Sequence, residues 1–374
     1  MMIRRVIEDR IRSLMGSGKA IVVMGARQVG KSTLLQALLE GNSDVLWLNG
    51  DEDDVREMFK NITSTRLKAI IGNNRTVVID EAQRIENIGL RIKLITDQIS
   101  GVQVIATGSS SFELSSKISE PLTGRKRELK MFPISFSEMV ANTSFLEEHR
   151  MIPHRMVYGY YPEVVCNPSE ERSVLKELTE SYLYRDVLAL DRLRKPDVLV
   201  RLLKALSFQI GNQVSYNELG LLIGVDSKTV EKYLDILEKS YIIFRLGSFS
   251  RNLRNELKTS KKVYFWDLGV RNAVIGNLAP IENRSDIGAL WENFVISERI
   301  KNNAYKDSFA QSFFWRTKDQ SEIDYVEEED GELKAFEFKW NPSKLNAKCP
   351  ASFSKAYPEA MFEVITPDNI EKFI

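Results

Sequence analysis

Histidine and cysteine are nearly missing: His149, His154, Cys166 and Cys349 are the only ones in 374 residues. So few imidazoles leave little material for a histidine-based metal centre or a nucleophilic triad. The two cysteines are far apart in sequence and have no second ligand nearby. Neither a disulfide framework nor a zinc ribbon is expected, and this usage fits a reducing, cytoplasmic compartment. Net charge is absent as well. The 52 basic side chains cancel the 52 acidic ones, so no global field draws the chain to nucleic acid or to an anionic membrane, and any such partner must meet a local patch. No apolar run approaches the ~18 residues of a membrane span, and the amino terminus lacks a signal-peptide core. The expectation is a soluble chain with no membrane partner.

What is present is ordinary for a globular protein of two or three domains, with 43% hydrophobic and 28% charged residues. One stretch stands out. Residues 25–32 read Gly-Ala-Arg-Gln-Val-Gly-Lys-Ser, which fits the phosphate-binding pattern of Gly, four free positions, Gly, Lys and a hydroxyl residue. The apolar run at 20–24 predicts a buried strand before it, and residues 33–39 predict a helix after it. Strand, glycine loop, helix is the context the pattern needs. Gly25 and Gly30 allow backbone closed to other residues, so that the N–H groups of Gly25, Ala26, Arg27, Gln28, Val29, Gly30, Lys31, Ser32 and Thr33 are candidates to surround an anion at a helix start. Lys31 would reach the outer phosphates as a catalytic cation, and the Ser32 hydroxyl would ligate Mg²⁺.

Ahead of the loop, residues 3–15 space Ile3, Val6, Ile7, Ile11 and Leu14 helically between Arg4, Arg5, Arg10 and Arg12, which predicts an amphipathic helix. After it, residues 44–49 predict a second strand. Residues 75–81, Arg-Thr-Val-Val-Ile-Asp-Glu, predict a third that ends in two acids. Asp80 is placed to hold Mg²⁺ and Glu81 to orient and activate the attacking water. Strands alternating with helices imply a parallel α/β sheet with its ligands at the carboxyl ends of the strands. A further strand over 101–109 brings Thr107 and Ser109 to that end, as contacts for the γ-phosphate or the water, or as a polar turn. A last strand is expected at 128–132. Arg125 and Arg127 before it are candidates for charge stabilisation, or a solvated basic turn.

These stretches, together with Ala-Thr-Gly-Ser-Ser-Ser at 106–111, Leu-Thr-Gly-Arg at 122–125 and Phe-Pro-Ile-Ser-Phe at 132–136, resemble one family: the bacterial and archaeal AAA+-type P-loop ATPases that carry a nuclease-like carboxyl-terminal domain. The resemblance covers nearly the whole chain. It implies ATP as the nucleotide, Mg²⁺ as the ion, and Lys31, Ser32, Asp80 and Glu81 in the roles above. Ser32 stands where many relatives have Thr, which keeps the hydroxyl. Rings are common among AAA+ relatives, so a homo-oligomer is open.

Beyond residue 140 the pattern changes. Residues 141–206 read as helices of a lid or linker, with turns at Pro162 and Pro168. Residues 207–270 resemble a winged helix-turn-helix: one helix from Tyr216, a turn at 224–226, a second helix from Ser227 to Lys239, then wing strands at 242–246 and 262–266. The second helix balances Lys228, Lys232 and Lys239 against Glu231, Asp235 and Glu238. The wing connection is more basic, and Arg251, Arg254, Lys258, Lys261 and Lys262 are candidates for DNA phosphate contacts. A packing module is the alternative.

Residues 271–374 open with a helix carrying Glu292. Two later strands meet at Asp330-Gly331, a strong hairpin signal. A two-residue turn sets Asp324 opposite Glu337 and Glu322 opposite Lys339. Ile323, Tyr325, Phe336, Phe338 and Trp340 are then expected on the other, apolar face. Carboxylates facing each other across strands repel unless a cation or a proton offsets them. The pattern resembles the PD-(D/E)xK nuclease fold, which implies a second Mg²⁺ site from Glu292, Asp324 and Glu337 with Lys339 near the attacked phosphate. A solvated hairpin is the alternative. Three functions follow as expectations: an ATP-hydrolysing switch or motor near DNA, an ATP-gated nuclease, or a nucleotide-dependent partner-binding protein with an inactive nuclease-like domain.

Overall fold

The computed structural model describes residues 3–109, 122–180, 196–250 and 261–374. They divide between two compact units. One runs to Pro133 and includes Lys239–Tyr241, and the other comprises Ile134–Glu238 and Ile242–Ile374.

The first unit alternates as the sequence predicts: α1 (Ile7–Leu14), β1 (Ala20–Met24), α2 (Lys31–Leu38), β2 (Val45–Asn49), α3 (Asp53–Phe59), α4 (Ser64–Ile71), β3 (Thr76–Asp80), α5 (Ile88–Gln98), β4 (Gln103–Gly108) and β5 (Lys126–Lys130). The sheet order is β2-β3-β4-β1-β5, and all four pairings are parallel. Every residue of β1 is buried, as a central strand covered on both faces requires. The last strand begins two residues earlier than the apolar pattern suggests, because pairing with β1 starts at Ala20↔Lys126. Register aligns the carboxyl ends: Met24 pairs with Gly108, and Asn49 with Asp80. With β4 lying between β1 and β3, Thr107 stands between the glycine loop and the acids.

The second unit starts with helices: α6 (Phe136–Asn142), α7 (Phe145–Tyr158), α8 (Pro162–Cys166), α9 (Glu171–Leu178) and α10 (Pro196–Phe208). Ser135 starts α6 with a capping box, accepting from the Glu138 N–H while Glu138 accepts from its own. Next come β6 (Gln213–Val214), α11 (Tyr216–Ile223), α12 (Ser227–Lys239), β7 (Ile243–Ser248) and β8 (Lys261–Phe265). Gly224, at φ 76°, ends α11 in the left-handed region and turns the chain into α12. After α13 (Leu268–Val274) and α14 (Ile287–Tyr305) follow β9 (Gln311–Arg316), β10 (Glu322–Glu329), β11 (Glu332–Phe338), α15 (Ala351–Ala356) and β12 (Met361–Ile365). One seven-stranded sheet, β12-β11-β10-β9-β7-β8-β6, runs through both segments, joined by parallel pairing of Gly247 and Ser248 with Phe313 and Phe314. Among the described residues no helix is long and apolar enough to cross a membrane.

From Tyr325 to the turn the hairpin has the expected register, with Tyr325 opposite Phe336 and Glu329 opposite Glu332, but the expected pairs Asp324–Glu337 and Glu322–Lys339 lie beyond the paired stretch. Its faces differ from expectation at one point. A bulge between Ile323 and Val326 in the pairing with β9 inserts one residue and flips the alternation. Ile323 therefore packs with Trp315, Val326, Ala335 and Phe353. Tyr325, Phe336 and Phe338 instead surround Phe373 on the other side.

Candidate functional site

The phosphate loop is built by close approach as much as by torsion. A Cβ on Gly25 would stand 2.0 Å from the Met131 carbonyl oxygen, so backbone fills the place of a side chain. Gln28 (φ 58°) and Gly30 (φ 92°) take left-handed conformations, which turn successive N–H groups inward as an anion nest requires. Arg5 fixes the loop from outside, donating to the Val29 carbonyl at 2.8 Å and the Phe132 carbonyl at 2.7 Å. The sequence placed Arg5 on a solvated helix face. Only its contact with backbone 127 positions away, just past β5, reveals its role.

Lys31 lies buried in the loop it follows, donating to the carbonyls of Gly25 at 3.0 Å and Ala26 at 2.7 Å. Burial pushes its pKa down to about 8, against the opposing pull of Glu81 and Asp80. A buried ammonium bonded only to loop carbonyls is a strong site for phosphate oxygens. Ser32 donates to Asp80 Oδ2 at 2.7 Å, so the two expected Mg²⁺ ligands already share one point. Glycine cradle, buried cation and adjoining hydroxyl and carboxylate fit a nucleotide with its Mg²⁺. Thr33 is exposed on α2.

Thr107 and Ser109 serve the acids. Thr107 Oγ1 donates to Asp80 Oδ1 and accepts from the Glu81 N–H at 3.1 Å. Ser109 donates to Glu81 Oε2 at 3.3 Å, and Gln83 Nε2 bridges Glu81 Oε2 and Ser109 Oγ. Glu81 itself sits at φ 47°, an uncommon conformation for a residue with a side chain. Gln83, nearly fully buried, was missed by the sequence reading. Its spacing of two residues from Glu81 was the available signal. Arg125 is engaged by Asp97 of α5 at 2.7 Å.

The second cluster gathers more groups than the sequence assigned to it. Glu292 of α14 accepts from Lys262 Nζ at 3.0 Å and from the Tyr264 hydroxyl at 2.6 Å. Lys262 also meets Glu322 at 2.5 Å, and Arg316 reaches the other Glu322 oxygen at 3.4 Å. Asp324 accepts from the Phe338 N–H at 2.9 Å, and Lys339 lies 2.5 Å from Glu337. Glu322 thus pairs with Lys262 and Arg316, while the expected Lys339 is held by Glu337. Burial, then the charge of Asp324, pushes Glu292 up to about 7. Asp324 and Glu337 are also raised, burial being the largest cause for both.

Lys262, expected on an exposed basic connection, is 2% exposed inside this cluster. Hydrophobic strand pairing carries it inward, where the carboxylates neutralise it, so it offers no DNA phosphate contact. Lys261 is half-buried at the start of β8, and Arg251, Arg254 and Lys258 lie outside the described residues.

Three family matches divide the chain: an AAA domain over residues 17–140, a domain of unknown function (DUF8612) over 149–280, and another (DUF4143) over 287–371. An uncharacterized protein of Mycobacterium tuberculosis is 23% identical over 340 residues, covering 90% of this chain and 74% of its own length. One from Methanocaldococcus jannaschii is 23% identical over 407 residues, covering 99% and 89%. Among solved structures, a Walker-type ATPase of Pyrococcus abyssi is similar at 17% identity, with 74% of this chain and 96% of that one covered and a TM-score of 0.49. Residues 17–140 thus match an AAA domain and carry a P-loop ATPase-like α/β sheet, and the DUF8612 match lies between them and the DUF4143 match.

Proposed function

We propose that this chain binds ATP with Mg²⁺ and hydrolyses it, as an AAA+-type switch. The observation that supports this best is the junction of Ser32 and Asp80 at 2.7 Å beside the buried Lys31. In this reading the loop amides and Lys31 hold the phosphates, and Ser32 and Asp80 hold the ion, the second through water. Glu81 orients the attacking water, with Thr107, Ser109 and Gln83 fixing the acids. Calorimetric titration and phosphate release test it. Lys31→Ala should lose ATP affinity, whereas Glu81→Gln should bind ATP as wild type does while turnover falls by about 10²–10⁴-fold. Turnover that survives both changes would sink the reading.

Residues 207–270 are read as a winged helix, and one observation favours contact with DNA over mere packing. Asp235 and Glu238 of α12 are both taken up by Arg245. With Arg245 included, Lys228, Lys232, Lys239 and Arg245 stand against Glu231, Asp235 and Glu238, an excess of one positive charge. Such a surface contacts phosphates without reading sequence. Fluorescence anisotropy with a random duplex should show binding that weakens with salt, and Lys228→Glu should weaken it further. Binding that ignores both salt and this substitution would leave the segment as a packing module.

A further inference from the structure

A carboxylate trio of the PD-(D/E)xK kind calls for a divalent cation, and the donor set here does not fit one. Mg²⁺ demands near-octahedral oxygen ligands with room for several waters. Among the described residues no group of three or more Asp, Glu, His or Cys is arranged to hold a metal. Several of the oxygens that would face the ion are already engaged. Glu292 Oε1 takes both Lys262 and Tyr264, and one oxygen of Glu322 takes Lys262 while the other takes Arg316. Lys339 is on Glu337 Oε1. Glu337 Oε2 is buried without a hydrogen-bond partner, and these bonds leave one oxygen each on Glu292 and Asp324, the others being held by Lys262, Tyr264, Lys339 and the Phe338 N–H.

Charge leads to the same place. Four carboxylates, Glu292, Glu322, Asp324 and Glu337, meet the ammoniums of Lys262 and Lys339 and the guanidinium of Arg316. The cluster is therefore one charge short of neutral. A divalent ion would have to displace Lys262 or leave the pocket net positive, and Lys262 is deeply held. Its ammonium sits 3.0 Å from Glu292 and 2.5 Å from Glu322, on a side chain that is almost fully buried. Its Nζ lies over the Phe314 ring, 5.5 Å from the ring centre.

We infer that the Lys262 ammonium stands where a nuclease of this fold would hold its metal, so that the cluster is a lysine lock tying β8 to α14 and β10, and the carboxyl-terminal domain binds no divalent cation. Lys262 comes from β8, within the DUF8612 match, whereas Glu292 and Glu322 lie within the DUF4143 match. The lock thus converts a catalytic constellation into a joint between two segments of one sheet. Breaking such a pair on one side strands the remaining charges in a buried place.

Fe²⁺ with ascorbate and peroxide cleaves backbone beside a bound metal, and mass spectrometry of the full chain without nucleotide locates the cuts. No cleavage is expected near residues 292, 324 or 337 in the wild-type chain. In Lys262→Met, which vacates the position, cuts should appear there, and Mn²⁺ should raise the melting temperature of the variant but not of the wild type. Should that variant fail to fold, Lys262→Gln gives the same reading. Wild-type cleavage at these positions that Glu292→Gln abolishes would overturn the lock, as would Mg²⁺-dependent DNA cutting lost in Lys339→Ala. A folded variant that acquires no metal would overturn the equivalence of ammonium and ion.

Discussion

Gly25 and Gly30 serve the phosphate loop for different physical reasons. Gly30 supplies a left-handed torsion in open space, its nearest neighbour to an added Cβ being the flexible end of Met131 at 3.8 Å. Gly25 supplies room, because an added Cβ would meet the Met131 carbonyl oxygen at 2.0 Å and its carbon at 3.0 Å. That carbonyl is held in the backbone that continues β5, where the Met131 N–H donates to Met24 at 2.7 Å. A side chain can swing away, but this backbone cannot do so without dragging the strand. Gly25→Ala should therefore cost roughly 1–3 kcal/mol of stability and also weaken ATP binding, since the loop must move off its nest. Gly30→Ala should lower the melting temperature less while still impairing binding. Thermal melts beside calorimetric titrations separate the two, and a smaller melting loss for Gly25→Ala would contradict this account. Residues such as Lys31, Ser32 and Asp80 were legible because their chemistry is fixed by a local pattern. Arg5 and Gln83 were not, since each acts through partners that only the folded sheet brings near.

Elements were legible in proportion to how local their instructions are. The β10–β11 hairpin is fixed by Asp330 (φ 52°) and Gly331 (φ 86°), two left-handed positions that make a type I′ turn and leave one register open. Tyr325 opposite Phe336 follows from that turn alone. The bulge in β10 does not, because it arises in the pairing with β9, a strand with no signature of its own. This single insertion moved Ile323 to the other face of the sheet and left Asp324 hydrogen-bonded to the backbone of Phe338. Lys262 fails for a related reason. In sequence it closes a basic stretch and looks solvated. In the fold it is answered by Glu292, 30 positions on, and by Glu322, far beyond that. Charge counted along a helix misleads in the same way: α12 looks neutral until Arg245, from β7, joins Asp235 and Glu238 and adds one positive charge to the sum.

At the scale of the molecule, the segment from β6 to β8 and the carboxyl-terminal domain share one sheet, so they should open and close as one cooperative body. Besides Lys262, the join depends on Asn293 of α14, which is fully buried. Its amide donates to the Phe265 carbonyl at 2.8 Å and accepts from the Phe265 N–H at 2.7 Å. The side chain thereby completes β8 as another strand would, on the edge beyond the two residues paired by β6. Asn293→Leu preserves volume but leaves a buried donor and a buried acceptor unanswered, at roughly 1–3 kcal/mol for each. Hydrogen exchange followed by mass spectrometry reads the consequence. Amides of β7 and β8 should exchange at the same rate as those of β9 to β11 in the wild-type chain, and both sets should speed up together in Asn293→Leu. Faster exchange confined to β8, with the β9–β11 hairpin region unchanged, would mean that the shared sheet is a geometric continuity without an energetic one.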